Sequence, residues 1–112
     1  MNDKLVWYGH GALGLELGGR HVLVDPFFSG NPAATATADK VPADFILLSH
    51  GHGDHVGDIV AIAKRTGATV ISNFELANWC AAQGIKNTHG QHLGGGHQHP
   101  FGHVKLTLAL HG

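Results

Sequence analysis

Three short apolar stretches, the second alternating with a period of two, open the chain. Leu5-Val6-Trp7-Tyr8 reads as a strand broken by Gly9-His10-Gly11, Leu13, Leu15 and Leu17 alternate with Gly14 and Glu16, and His21-Val22-Leu23-Val24 ends at Asp25-Pro26. Gly18-Gly19 supplies the positive φ angles of a tight hairpin. Phe27 to Ala43 shows neither period and reads as a surface loop, placed to act as a lid at the mouth of a cleft. Phe45-Ile46-Leu47-Leu48 is a buried strand, and Ile59, Val60, Ile62 and Ala63 make an apolar helix stripe that stops at Gly67. Thr69-Val70-Ile71-Ser72 returns as a strand, so this unit favours a parallel pair. Ser72 and Glu75 have capping-box spacing before a helix over Phe74 to Gln83. On it Leu76, Trp79 and Cys80 follow helical spacing as core residues, and Trp7, Tyr8 and the phenylalanines are given the same role. The glycine-rich stretch Asn87 to His103 reads as a mobile connector. Val104, Leu106, Leu108 and Leu110 then alternate with polar or small residues as a half-buried strand ending at His111.

Composition narrows the class. A chain of 112 residues, 43% hydrophobic, suits one α/β domain over residues 1–112. Seven basic against eight acidic residues, a net charge of -1, offer no electrostatic case for nucleic acid or an anionic membrane. No basic-then-apolar leader opens the chain, and no apolar run approaches the roughly 20 residues of a membrane span. The lone Cys80 cannot form an internal disulfide and fits a reducing compartment, so the expectation is a soluble cytoplasmic protein. Eleven histidines are the anomaly.

Those histidines concentrate the candidate chemistry. Ser49-His50-Gly51-His52-Gly53-Asp54-His55 places three imidazoles and a carboxylate between a strand and a helix, where side chains converge on a cleft. In an extended loop His50 and His52, two apart, project to one side and reach one ion, whereas Asp54 and His55 enter a helical turn and serve a neighbouring ion. Gly51 and Gly53 would let the backbone turn sharply between ligands. Mixed imidazole and carboxylate donors suit zinc, one or two ions, and are compatible with manganese or iron. Asp25 either holds an imidazole N–H or caps the Pro26 turn; the local reading favours the turn. Cys80 lacks a polarising neighbour and is structural.

His50-Gly51-His52-Gly53-Asp54-His55 resembles the signature of the metallo-β-lactamase superfamily of metal-dependent hydrolases. Tyr8-Gly9-His10-Gly11, Val24-Asp25-Pro26-Phe27 and Ala109-Leu110-His111-Gly112 resemble its branch of ascorbate-phosphate lactonase-like and uncharacterised metal-dependent hydrolases. The resemblance spans the chain but only the N-terminal half of the family domain, and implies half of an αββα sandwich: a mixed sheet with helices on one face. It assigns His111 to the ion held by His50 and His52, lets Asp54 ligate and orient a metal-held hydroxide, and brings His10 to the substrate. Of the five histidines in the connector, it points to His92 as the one nearest the site. It also implies a bridging aspartate and a further histidine that these residues do not contain, leaving the second ion with Asp54 and His55 alone.

Three functions follow from this reading. The first is hydrolysis of a small-molecule ester, lactone, amide or phosphoester, weak or absent unless a missing C-terminal half or a homo-oligomer completes the site. The second is a non-catalytic metal-binding half-fold that self-associates. The third is a metal buffer built from His89, His92, His97, His99 and His103.

Overall fold

The three opening apolar stretches form a meander in the computed structural model, which describes residues 2–111. Strands β1 (Lys4–Gly9), β2 (Ala12–Leu17) and β3 (Arg20–Val24) pair antiparallel. Gly18 and Gly19, at φ 58° and 78°, make the hairpin between β2 and β3, where the left-handed backbone matches the twist of the strands. Beyond β3 the sheet turns parallel: β4 (Phe45–Leu47), β5 (Thr69–Asn73) and β6 (Thr88–Gln91) complete six strands in sequence order.

Register sorts the sheet residues between two faces. Val6, Gly14, Leu23, Ile46, Val70 and Thr88 form one row across the strands, and Trp7, Leu13, Val24, Leu47, Ile71 and His89 form the neighbouring row, which points the other way. The first row faces the helices. Three follow one another between strands: α1 (Gly53–Val56), α2 (Ile59–Thr66) and α3 (Phe74–Ala82). Ile59, Ile62 and Ala63 of α2 and Cys80 of α3 pack with Leu23, Ile46, Leu48 and Val70 into one core. Burial raises the pKa of the Cys80 thiol, consistent with its structural role.

The segment 27–43 is anchored to the body of the fold. Phe28, Val41 and Ala43 lie in the core, Asn31 is buried with its amide donating to the carbonyls of Gly9 and Phe27, and Arg65 donates to the carbonyls of Ala38 and Val41. Sparse apolar residues without a period were enough to anchor a loop whose polar groups bond locally. The helix cap also differs: Asn73 Oδ1 accepts from Leu76 N–H at 2.8 Å, while Ser72 Oγ donates to the Leu48 carbonyl.

The histidine-rich connector is structured. Thr88–Gln91 is one of the sheet's two edge strands, and β7 (Gly96–His99) with β8 (Gly102–Lys105) forms a separate antiparallel ribbon. The final strand, in turn, stops at Lys105 rather than Leu110. Leu106 still exchanges backbone bonds with Gly94 and Gly95, but Leu108 and Leu110 are 72% and 91% exposed and no described strand lies beside them. Alternation marks what a strand would bury, yet without a neighbour to complete the ladder the segment does not pair. The assignment of Trp7 and Trp79 to the core fails as well. Trp7 is 64% exposed because its row lies on the sheet face away from the helices, and Trp79 is exposed on α3.

Candidate metal centre

Strand β4 ends against β5, and the chain then runs through Ser49 to His52 outside any helix or strand, with His52 extended, before the single turn of α1 carries Asp54 and His55. His50 and His52 converge as the two-residue spacing requires, with ring centroids 4.7 Å apart. His111 joins them at 4.9 and 4.8 Å from the two rings, and its Nε2 lies 3.1 Å from Nδ1 of His52. On the other side of His50, His55 lies 4.2 Å away between ring centroids and Asp54 reaches His10 at 3.1 Å. Two donor groups open from the cluster, His50, His52 and His111, and His10, Asp54 and His55, and a third, Asp25 with His50 and His55, lies behind them; within each the ligand atoms are within 4.8 Å of one another. His10 therefore stands beside Asp54 and His55, which local spacing left as a pair. His92 joins none of these groups among the described residues.

Asp25, not the turn, organises these rings. Its carboxylate is 5% exposed; it accepts from Ser49 N–H at 2.8 Å and Ser49 Oγ–H at 2.5 Å, and stands 2.8 Å from Nδ1 of His55. With its proton given to Asp25, Ser49 Oγ can only accept from Nδ1 of His50, 2.8 Å away. The tautomer follows: the lone pair of His50 is on Nε2. That atom is buried and has no hydrogen-bond partner. The same carboxylate takes Nδ1–H of His55, leaving Nε2 as its lone-pair nitrogen. Asp25 and His10 are the two non-glycine residues with positive φ among the described residues, at 45° and 57°, and both lie in this cluster.

Electrostatics favour ligand-ready protonation states. Burial lowers the pKa of His50, and charge on the neighbouring His55, His52 and His111 lowers it further, against a smaller opposing pull from Asp25. At Asp54 desolvation pushes upward, but the bonds from His10 and the backbone outweigh it and the carboxyl ends below its usual range. Neutral imidazoles and an ionised carboxylate are what a borderline divalent ion binds. The orphaned Nε2 and the nitrogen–oxygen donor set therefore fit such an ion.

The glycines that matter sterically are not those between the ligands. A Cβ on Gly51 or Gly53 would meet nothing closer than 4.0 Å, whereas one on Gly11 would sit 2.9 Å from Cε1 of His55. Gly57, at φ 31°, would place a Cβ 2.7 Å from Cα of Phe27. Close approach of the β1–β2 turn and of the Pro26 loop to α1 is what demands glycine.

A model of the metallo-beta-lactamase superfamily matches residues 15–81. The chain is 54% identical over 108 residues to a UPF0173 metal-dependent hydrolase of Heliobacterium modesticaldum, covering 96% of this chain and 45% of that protein. It is 51% identical to one of Shouchella clausii, covering 97% and 48%. The chain thus spans about half the length of the curated relatives it matches. Among solved structures, it is similar to Igni18, a metallo hydrolase from Ignicoccus hospitalis, with a TM-score of 0.77 at 30% identity over 86% of this chain and 42% of that one. It shares its fold with CmlA, a diiron β-hydroxylase from Streptomyces venezuelae, at a TM-score of 0.71 and 20% identity over 87% and 22%.

Proposed function

The chain belongs to the metallo-beta-lactamase superfamily, and from that premise we propose that it carries the metal-binding half of a metal-dependent hydrolase acting on a small-molecule ester, lactone, amide or phosphoester. The carrying observation is the buried, unpartnered Nε2 of His50, whose other nitrogen is held through Ser49 by Asp25. His50, His52 and His111 would hold one zinc ion; Asp54 and His55 would hold a second, with manganese or iron as alternatives. A bound ion supplies Lewis acidity and lowers the pKa of water toward about 7. Asp54, kept ionised, orients the attacking water and takes up its hydrogen bond; His10 sets the position of Asp54 and borders the substrate. Asp25 fixes the direction of His50 and His55. A further bridging carboxylate and histidine are proposed to come from outside these residues, so turnover by this chain alone is expected to be weak.

The test measures bound zinc per chain and hydrolysis of a panel of esters, lactones and phosphodiesters. Zinc uptake that falls with His50→Ala supports the reading, and a folded chain that takes up no divalent ion would sink it. Rapid turnover by the monomer, dependent on His50 and Asp54, would overturn the need for a missing half.

A second reading, a non-catalytic half-fold that self-associates, draws on one observation. Leu5, Trp7, Leu108 and Leu110 are large, apolar and exposed, and Leu5 and Trp7 lie on the sheet face away from the helices. Mass in solution with and without chelator separates the two, because self-association through shared metal predicts a dimer that chelation dissolves. No helix among the described residues is long and apolar enough to cross a membrane; cytoplasmic residence is proposed from the unpaired, buried Cys80.

A further inference from the structure

A second histidine cluster lies outside the site at the end of β4. His89 of β6 belongs to the row of residues on the sheet face away from the helices, and β7 presents His97 and His99, two apart, on one side of the ribbon. Their ring centroids are 4.5 Å (His89 to His97), 4.7 Å (His89 to His99) and 4.7 Å (His97 to His99) apart. One nitrogen from each lies within 4.8 Å of the others. We propose that His89, His97 and His99 form a separate transition-metal site that takes a late first-row divalent ion such as zinc or copper.

The hydrogen bonds around His99 support ligation over simple ring packing. His99 is 7% exposed and stacks on Phe101, which itself packs against Phe45. Phe45 and Phe101 already supply apolar contact there, so packing alone does not require imidazole. Gln91 Nε2 donates to the Val104 carbonyl, so Gln91 Oε1 is the acceptor and the His99 Nε2 beside it, at 2.9 Å, must carry the proton. Nδ1 of His99 is thereby left with its lone pair, the arrangement in which a buried partner orients a metal-bound histidine. Burial lowers the pKa of His99, and charge on His89, His97 and His103 lowers it further, which favours the neutral ring. Three imidazole nitrogens without a carboxylate select zinc, copper or nickel against calcium or magnesium, whose ligands are oxygens. Three protein donors also leave a fourth position for water. A tetrahedral zinc spaces its nitrogens about 3.3 Å apart, so from separations within 4.8 Å the three rings would draw together by up to about 1.5 Å on binding.

The site shares no ligand with the one holding His50, so the two can be told apart. In the 112-residue chain carrying His52→Ala and His55→Ala, which takes one ligand from each ion of the first centre, titration with zinc against a chromophoric chelator should still find one ion per chain. Adding His97→Ala, an exposed position, should weaken that ion at least 10-fold, and adding His92→Ala should leave it unchanged. In the otherwise unaltered chain, His97→Ala alone should lower zinc stoichiometry by one, which keeps the test valid if the double variant does not fold. Copper loaded at one equivalent into the double variant should show nitrogen coupling by electron paramagnetic resonance. Unchanged stoichiometry in His97→Ala, or an equal loss from His92→Ala as in a diffuse histidine buffer, overturns the proposal.

Discussion

Asp25 shows how much one residue can decide. It sits at φ 45°, buried, and one carboxylate oxygen is shared between Ser49 Oγ and Nδ1 of His55. Asp25→Asn keeps the shape but lets an amide face two donors, so zinc affinity should fall about 10- to 100-fold with little change in circular dichroism. Unaltered affinity would show that the histidines need no such support. The role of Asp25 was not legible locally because its partners are 24 and 30 positions away; a short polar residue before proline looks the same whether it caps a turn or grips an imidazole. Gly57 makes the complementary point. At φ 31°, with Phe27 backbone against it, Gly57→Ala should destabilise the chain by about 1–2 kcal/mol in urea melts, whereas Gly53→Ala should cost only a few tenths.

Among the elements, helix starts and loop anchors carry testable energies. Asn73→Ala removes the bond to Leu76 N–H and should cost about 1 kcal/mol by chemical denaturation. Asp58 precedes α2 but does not cap it. Its carboxylate instead accepts from Phe28 N–H, Ser29 N–H and Ser29 Oγ–H, tying the Pro26 loop to α2. Desolvation works to raise its pKa, but the Ser29 and Phe28 bonds prevail and the folded value lies below the ordinary one. The resulting stability is complete above the unfolded pKa of about 3.9 and is lost as pH falls through the folded value. Asp58→Asn should thus cost about 1–3 kcal/mol at pH 6 and much less in acid, read as the gap between urea midpoints. A gap independent of pH would exclude the ionised carboxylate as its source. Strands β1 to β5 and both longer helices were legible because each carries an apolar run, alternation or stripe bounded by turn residues. β6 and the β7–β8 ribbon were not: their residues are mostly Gly, His, Gln and Thr, with no apolar stripe to read.

At the scale of the molecule, metal should act as a clasp. The donor groups draw on the β1–β2 turn, the β4–α1 loop and the C-terminal segment, three regions far apart in sequence. Zinc at 100 times its dissociation constant would add about 2.7 kcal/mol to stability, roughly 10 °C in melting temperature for a chain of this size. Chelation should reverse the shift, and His50→Ala should lose the share due to this centre. A melting temperature indifferent to zinc and chelator would mean that these side chains cluster without gripping an ion. The apolar row Trp7, Leu13, Val24, Leu47 and Ile71 gives the sheet a second face that the β7–β8 ribbon covers in part, at Phe45.

The sequence by itself determined the strand–loop–helix frame and the convergence of His50 and His52, because both follow from periods and spacings within a few residues. Family resemblance added His111. Only the tertiary structure decided that Asp25 serves the histidines, that His10 stands with Asp54 and His55, and that His89, His97 and His99 meet. Those contacts join residues on different elements, and whether side chains distant in the chain become neighbours is set by sheet order and register, which no local pattern encodes.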